Sequence, residues 1–201
     1  LKKKYYLQIV NDNCHAMGAK INQNKGYAVK YSDISILSFH PVKAITTGEG
    51  GALLTNNLKY FKFANELRSH GVVKDKKKIQ KIGGWYYQMK NLGENARMSE
   101  IHAALGLSQI SKLNKFVIKR NQIAKFYNNI FKNNSLFTIP KVKNKYFHAY
   151  HIYPLLVNFQ KLKKSKKEVF KEFKKNKINL QVHYIPINMQ PYYKKKYKFE
   201  K

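Results

Sequence analysis

Apolar and polar positions alternate in short blocks along the first third of the chain, in runs too brief for helices. "YYLQIV" (5–10) stops at the polar "NDN", "ISILSF" (34–39) at a histidine and a proline, and "GALLT" (51–55) at two asparagines. Runs of this length between turn residues predict buried strands, the first presenting Asn11 and Asp12 at its C-terminal end. The period then lengthens. Leu58, Phe61, Ala64 and Leu67 recur at three-residue steps and predict a helix over 57–69, with Gly71 as its C-cap. Residues 72–97 carry Gly83, Gly84 and Gly93 without a clean period and read as a long loop, a feature often functional in compact chains. Helical spacing returns from about Met98, where Met98, Ile101 and Leu105 share a face and Ser99 and Glu100 suit a first turn. A longer helix runs from Leu113 to about Phe131 on Leu113, Phe116, Val117, Ile123, Tyr127 and Ile130.

Beyond "NNSLFTIPKVKN" the character changes. "HAYHIYPLLV" (148–157) reads as a strand, "KKEVFKEFKK" (166–175) as a helix amphipathic on Val169, Phe170 and Phe173, and "INLQVHYIPI" (178–187) as another strand. The Lys- and Tyr-rich end, "PYYKKKYKFEK", predicts no element. A strand, a helix and a strand after a long helix imply a small α+β unit distinct from the first. The expected fold is α/β: a mixed sheet with helices over 1–125, then a small α+β domain over 126–201.

Composition narrows the function classes. The 201 residues are 43% hydrophobic and 14% aromatic, enough to build a core. Cys14 is the single cysteine, so no internal disulfide can form and a reducing compartment is expected. No apolar run approaches the roughly 20 residues that span a bilayer, and no charged-then-apolar leader stands at the front. A cytoplasmic protein without membrane association is expected. The chain opens on Leu1 rather than Met, which implies a start inside a longer protein. A net charge of +30 favours anionic partners. Only Arg68, Arg97 and Arg120 among the 40 basic residues are arginine, however, and nucleic-acid readout leans on arginine's planar fork. Lysines scattered among Asn, Ile and Tyr read as solvated surface. No nucleic-acid partner is expected, and a basic nucleic-acid-binding module is the alternative from another class.

Four groupings could carry chemistry. Gly48, Gly50 and Gly51 could cradle a phosphate, but neither GxGxxG spacing nor a following Lys-Ser/Thr is present, and a tight strand-to-strand turn explains them equally. His148, His151 and His183 could be assembled into a metal site, yet H-x-x-H suits a helix face and the local pattern is strand, so no metal is expected. Asp12 stands at the end of a buried strand with His15 three residues later. A carboxylate there needs a cationic or hydrogen-bonded partner, such as a protonated ring nitrogen, unless it caps a short helix through "HAMGA". Lys43 lies between two apolar strands, after a proline and before Thr and Gly. Desolvation at such a turn would free the neutral amine that attacks carbonyls; otherwise Lys43 is one more surface lysine.

Several stretches in order resemble the DegT/StrS sugar aminotransferases, pyridoxal-phosphate enzymes of fold type I: "NDNCHAMGA" (11–19), "SFHPVKAITTGEGGALLTNN" (38–57), "LRSHG" (67–71), "GENARMSEIHAALGLSQ" (93–109), "HAYHIYPLLV" (148–157) and "VHYIPI" (182–187). The "SFHPVK" wording most resembles the branch that acts in pseudaminic acid synthesis. The resemblance implies transfer of an amino group, with glutamate the expected donor, to the 4-keto carbon of a UDP-linked 6-deoxy-N-acetylhexosamine. It makes Lys43 the lysine that binds pyridoxal phosphate covalently and then shuttles the proton. Asp12 matches the partner of the pyridine nitrogen, which keeps the ring an electron sink. His15 matches a residue beside the phenolic oxygen, and Ser38 a hydroxyl on the phosphate. Asn95 matches an asparagine that reaches the phosphate of a neighbouring subunit, so a homodimer is expected. His183 and Tyr184 are the expected substrate contacts.

Two positions depart from the family pattern. Glu94 stands where an aromatic or His is common, and an acid near a phosphate is unhelpful. Asn188 follows "HYIPI" where His or Tyr is common. The family's N-terminal portion, with its Gly-Ser/Thr phosphate loop and ring-stacking aromatic, has no counterpart in the sequence. The chain is therefore expected to be a C-terminal portion, the alternative being a truncated or split product without independent activity.

Overall fold

The structure, a computed structural model, describes residues 2–25 and 27–197. Its elements are, in order, α1 (Lys2–Tyr5), β1 (Val10–Asp12), β2 (Lys20–Ile21), α2 (Tyr27–Lys30), β3 (Ile34–Ser38), β4 (Gly51–Leu54), α3 (Leu58–Leu67), β5 (Val72–Val73), α4 (Lys76–Ile82) and β6 (Gln88–Met89). They continue with α5 (Glu100–Ile110), α6 (Leu113–Phe131), β7 (Phe137–Thr138), β8 (Tyr146–Phe147), β9 (Leu156–Val157), α7 (Phe159–Leu162), α8 (Lys166–Lys175) and α9 (Pro191–Tyr197). Residue contacts divide the chain into one unit of Leu1–Phe126 with Lys141–Ile152 and another of Tyr127–Pro140 with Tyr153–Lys201. Residues 141–152 thus return to the first unit, which a single boundary in sequence does not describe.

A three-stranded mixed sheet in the order β1-β3-β4 organises the first unit. β1 runs parallel to β3 with Asp12 opposite Ile36, and β3 runs antiparallel to β4 with Ser38 opposite Gly51. Parallel neighbours need a crossover, supplied here by β2 and α2. The predicted first strand lies further along the chain than expected. Residues 2–5 are helical and pairing begins only at Val10, because Asp33 accepts the Ile9 N–H (2.9 Å) and Lys2 pairs with the same carboxylate. The apolar run at 5–10 is mostly exposed, so it is not the buried strand its composition suggested.

Tight backbone approaches hold α5 and α6 to this sheet. A methyl on Gly18 (φ +86°) would lie 2.7 Å from Val117 Cγ2, so the 16–19 turn sits directly on the buried Val117 of α6. Gly106 of α5 plays the same part against Thr47. Ser99 caps α5 by accepting the His102 N–H (3.3 Å). The face expected to be apolar there is largely in solvent, Ile101 being 82% exposed.

Residues 72–97 are not a featureless loop. β5 pairs with β6, Val72 opposite Met89, and α4 lies between them, capped by Asp75, which accepts the N–H of Lys77 (2.9 Å) and Lys78 (3.3 Å). The local signal for α4 is the Asp75 cap that precedes "KKKIQKI". The expected strand over 148–157 also differs. Pairing is confined to β8 with β2 and β9 with β7, and 148–155 is irregular because its carbonyls serve α6: Asn121 donates to His148 O (2.9 Å) and Arg120 to Tyr150 O and His151 O (both 3.2 Å).

In the second unit β7 pairs antiparallel with β9 beside an aromatic group of Tyr127, Phe131, Phe137 and Tyr153, whose Oη donates to Asn128 Oδ1 (2.7 Å). α8 covers the predicted residues, with a reciprocal cap between Ser165 and Glu168. The strand expected at 178–187 does not form among the described residues; a 3-10 turn follows at Ile187–Met189. The described part of the basic end instead folds as α9, starting on Pro191, a residue suited to a first helical turn; residues 198–201 lie outside the described residues.

Candidate active site

Asp12 ends β1, and its parallel partner β3 ends two residues beyond Ile36 at Ser38. Both strands therefore deliver polar side chains to the same end of the sheet. Asn13, buried, donates its N–H to Ile36 O (2.9 Å) and its Nδ2 to the fully buried Ser35 Oγ (2.5 Å), which locks this end in register. The chain then turns instead of entering the short helix considered for "HAMGA", with Ala16 N–H on Asn13 O and Ala19 N–H on Ala16 O (both 2.9 Å).

Asp12 is exposed, contrary to the expectation of a buried carboxylate. Its Oδ1 accepts the Cys14 backbone N–H (3.0 Å). The Cys14 thiol and N–H hold its pKa below the usual 3.8, and the charges of His15 and Lys43 act in the same direction. The Cys14 thiol is in turn pushed up, first by burial and then by Asp12. Asp12, Cys14, His15 and Lys43 thus form one electrostatic neighbourhood. The Asp12–Cys14 bond spans two residues, a local turn of the kind Asp side chains form with the backbone two positions on.

After Ser38, which accepts the His40 N–H (3.4 Å), the segment 39–50 folds back so that Phe39 N–H meets Gly50 O (2.9 Å). Lys43 closes a small turn inside it, its N–H on His40 O (2.9 Å), and is only partly exposed. The next residues anchor it: Ala44, Ile45 and Thr47 are buried, Thr46 Oγ1 donates to Phe39 O (3.0 Å), and Thr47 Oγ1 donates to Glu49 O (2.7 Å). Gly48 (φ +83°) and Gly50 (φ +152°) take the bends, and Gly50 faces Met98 at the foot of α5. These glycines make a strand-to-strand turn.

His15 packs its ring against His151, centroids 4.2 Å apart. The H-x-x-H pair of the sequence is thereby split in use. His151 meets His15, whereas His148 Nδ1 accepts the Tyr150 N–H (3.0 Å) and partial burial lowers its pKa from 6.5. No group of three potential metal ligands occurs among the described residues. Asn95 lies on a separate loop pair, bridged to Ser69, with Ala96 N–H on Arg68 O (3.0 Å). His183 and Tyr184 belong to the second unit, their rings stacked at 3.8 Å.

A family model for the DegT/DnrJ/EryC1/StrS aminotransferases matches residues 1–201. The chain belongs to this family. Its members are pyridoxal-phosphate-dependent sugar aminotransferases of fold type I. The chain is 40% identical over 195 residues to a UDP-4-amino-4,6-dideoxy-N-acetyl-beta-L-altrosamine transaminase from Campylobacter jejuni, with 97% of the chain and 49% of that protein covered. The structure resembles Helicobacter pylori PseC, an aminotransferase of pseudaminic acid biosynthesis, at a TM-score of 0.87 and 36% identity, covering all of the chain and 51% of PseC. It also resembles a putative sugar aminotransferase from Streptococcus pneumoniae in its PMP form, at a TM-score of 0.82 and 25% identity over 96% of the chain and 50% of that protein. The chain spans about half the length of the relatives it matches. No helix among the described residues is long and apolar enough to cross a membrane.

The side chains at the end of the sheet suit the family's cofactor. An ionised carboxylate, an amine within its field and a hydroxyl at the neighbouring strand end are the groups that a protonated ring nitrogen, an aldehyde and a phosphate require.

Proposed function

We propose that the protein is a sugar-nucleotide aminotransferase that moves an amino group, with glutamate as donor, onto the 4-keto carbon of a UDP-linked 6-deoxy-N-acetylhexosamine. The product would feed pseudaminic acid synthesis in the cytoplasm. The observation that carries this reading is 40% identity to the Campylobacter jejuni altrosamine transaminase along nearly the whole chain. Pyridoxal phosphate, when bound, supplies the electron sink that lets an amino group change carbon.

The residues divide the remaining work. Asp12, kept ionised by Cys14, holds the proton on the ring nitrogen. Lys43 would hold the cofactor through its amine and, once released, would move a proton between the substrate carbon and the cofactor's C4′, from the donor carbon in one half of the reaction and to the sugar carbon in the other. The buried residues behind Lys43 keep its turn rigid, which fixes where the amine can reach. His15, seated on His151, would stand beside the phenolic oxygen, and the Ser38 hydroxyl would donate to the phosphate. Asn95 reaches the site of a second copy of the protein in a homodimer, while His183 and Tyr184 contact the sugar nucleotide.

Reconstitution with pyridoxal phosphate followed by borohydride reduction tests the reading. A visible absorbance, and a covalent label found on Lys43 by mass spectrometry, are expected. A Lys43→Ala protein with the same absorbance and a label elsewhere would overturn it.

A further inference from the structure

The turn after β1 carries Asp12, Cys14 and His15, and its own bonds do not place it. Ala16 N–H donates to Asn13 O, Ala19 N–H to Ala16 O and Cys14 N–H to Asp12 Oδ1, all inside the turn. Such bonds shape a loop but leave it free to tilt as a body. Its placement depends on contacts from further along the chain.

One anchor is β3, where Ile36 O and Ser35 Oγ hold Asn13. Another is Tyr27, the first residue of α2, in the crossover between β1 and β3. Tyr27 Oη lies 3.4 Å from both Asn13 Oδ1 and Ala16 O. A phenol has one proton to donate, so the hydroxyl lodges between two acceptors on the turn and serves either. Asn13 becomes the middle of a chain: its Nδ2 donates to the fully buried Ser35 (2.5 Å), and its Oδ1 accepts from Tyr27. Asn13 is itself buried, so each of its polar atoms needs a partner. The phenol is half-buried, and burial raises its pKa above the usual 10.0, which keeps the donor proton in place.

α2 is short, yet it is tied down. Tyr31 N–H returns to Tyr27 O (3.3 Å), Ser32 Oγ donates to Ala28 O, and the helix packs on β3. We propose that Tyr27 is a positioning residue: its hydroxyl ties the crossover to the 13–16 turn and so sets where Asp12 and His15 stand relative to Lys43. It acts through Asn13 and Ala16. That Asp12 and His15 face a cofactor rests on the proposed function, whereas the hold of Tyr27 on the turn does not. Small displacements of groups around a reacting centre are costly, which gives this tie its consequence.

Cys14, the single cysteine, lies inside the turn and reports on it. Burial and Asp12 hold its thiol up, and the thiolate is the form that reacts. Alkylation of the intact, cofactor-free protein by iodoacetamide is followed against pH for the wild type, Tyr27→Phe and Tyr31→Phe, the last removing an exposed hydroxyl nearby. Tyr27→Phe should react faster by between about twofold and tenfold, the scale of one neutral hydrogen bond, with its profile moved to lower pH. Tyr31→Phe should match the wild type. Equal rates and profiles in Tyr27→Phe and the wild type overturn the proposal. Faster alkylation with an equal rise in amide exchange across β3 and β4 also overturns it, since that means general loosening. Borohydride labelling of Lys43 with pyridoxal phosphate in the same proteins reads the consequence for the proposed site, and Tyr27→Phe should label more slowly by a similar factor. Faster alkylation with unchanged labelling overturns the link between Tyr27 and that site. A wild type that takes no label removes the aminotransferase reading, and the alkylation result still decides whether Tyr27 holds the turn.

Discussion

Asn13 donates to Ser35 across the β1-β3 pair at 2.5 Å, and both side chains are buried immediately behind Asp12. A buried hydroxyl or amide left without its partner costs about 1–3 kcal/mol, more than the bond itself contributes. Asn13→Ala should lower the urea midpoint by an amount in that range. The Asn13→Ala/Ser35→Ala double variant should lose less than the sum of the singles, since neither orphan then remains. Additive losses would mean that the bond does not couple the strands.

Gly106 and Thr47 meet without room for a methyl: a Cβ on Gly106 would lie 2.9 Å from Thr47 Cγ2. Gly106→Ala should favour α5 by helix propensity yet push on the turn that carries Lys43. The expected result is slower borohydride trapping of cofactor on Lys43. Thr47→Ser, which removes the offending methyl and keeps the hydroxyl on Glu49 O, should restore the rate in the double variant. No rescue would place the defect elsewhere.

Arg120 reaches two successive carbonyls, Tyr150 O and His151 O, and His151 supports the ring of His15. Arg120→Met should cost roughly 1.5–3 kcal/mol, since the lost bonds involve a charged donor. It should also shift the NMR ring signals of both His15 and His151. Arg120→Lys should recover part of both effects. A stability loss with unmoved histidine signals would confine Arg120 to a structural role.

His148 is held below its ordinary pKa of 6.5 by partial burial, although the ring keeps solvent access. The unfolded chain therefore takes up this proton at a higher pH than the folded one. Its contribution to stability is complete above pH 6.5 and declines as pH falls from there through the folded value. Denaturant midpoints between pH 7.5 and 5.5 should fall in the wild type and fall less in His148→Gln. Equal slopes would exclude His148 as the cause.

Local signals account for what was legible. α8 carries a Ser165/Glu168 cap before a clear apolar stripe, and α6 and α3 show the helical period over two or more turns, so all three formed where expected. β3 and β4 are bounded by turn residues on both sides. The failures share a cause: "YYLQIV", 148–155 and 178–186 have strand-like composition, but a strand also needs a neighbour to pair with. In two cases the structure shows the competitor. Asp33 and Lys2 claim the first segment, and Asn121 and Arg120 claim the carbonyls of the second.

The sequence by itself determined α3, α5, α6 and α8, the two strands around Lys43, the glycine turn between them and the order of family motifs, because each depends on residues within a few positions. Tertiary structure decided the rest. It set β1 parallel to β3 so that Asp12 and Ser38 finish at one end of the sheet, left Asp12 exposed and seated His15 on His151. Each of these relations joins residues through space, and long-range pairing depends on which partners close their hydrogen bonds first and best, a property of the whole chain.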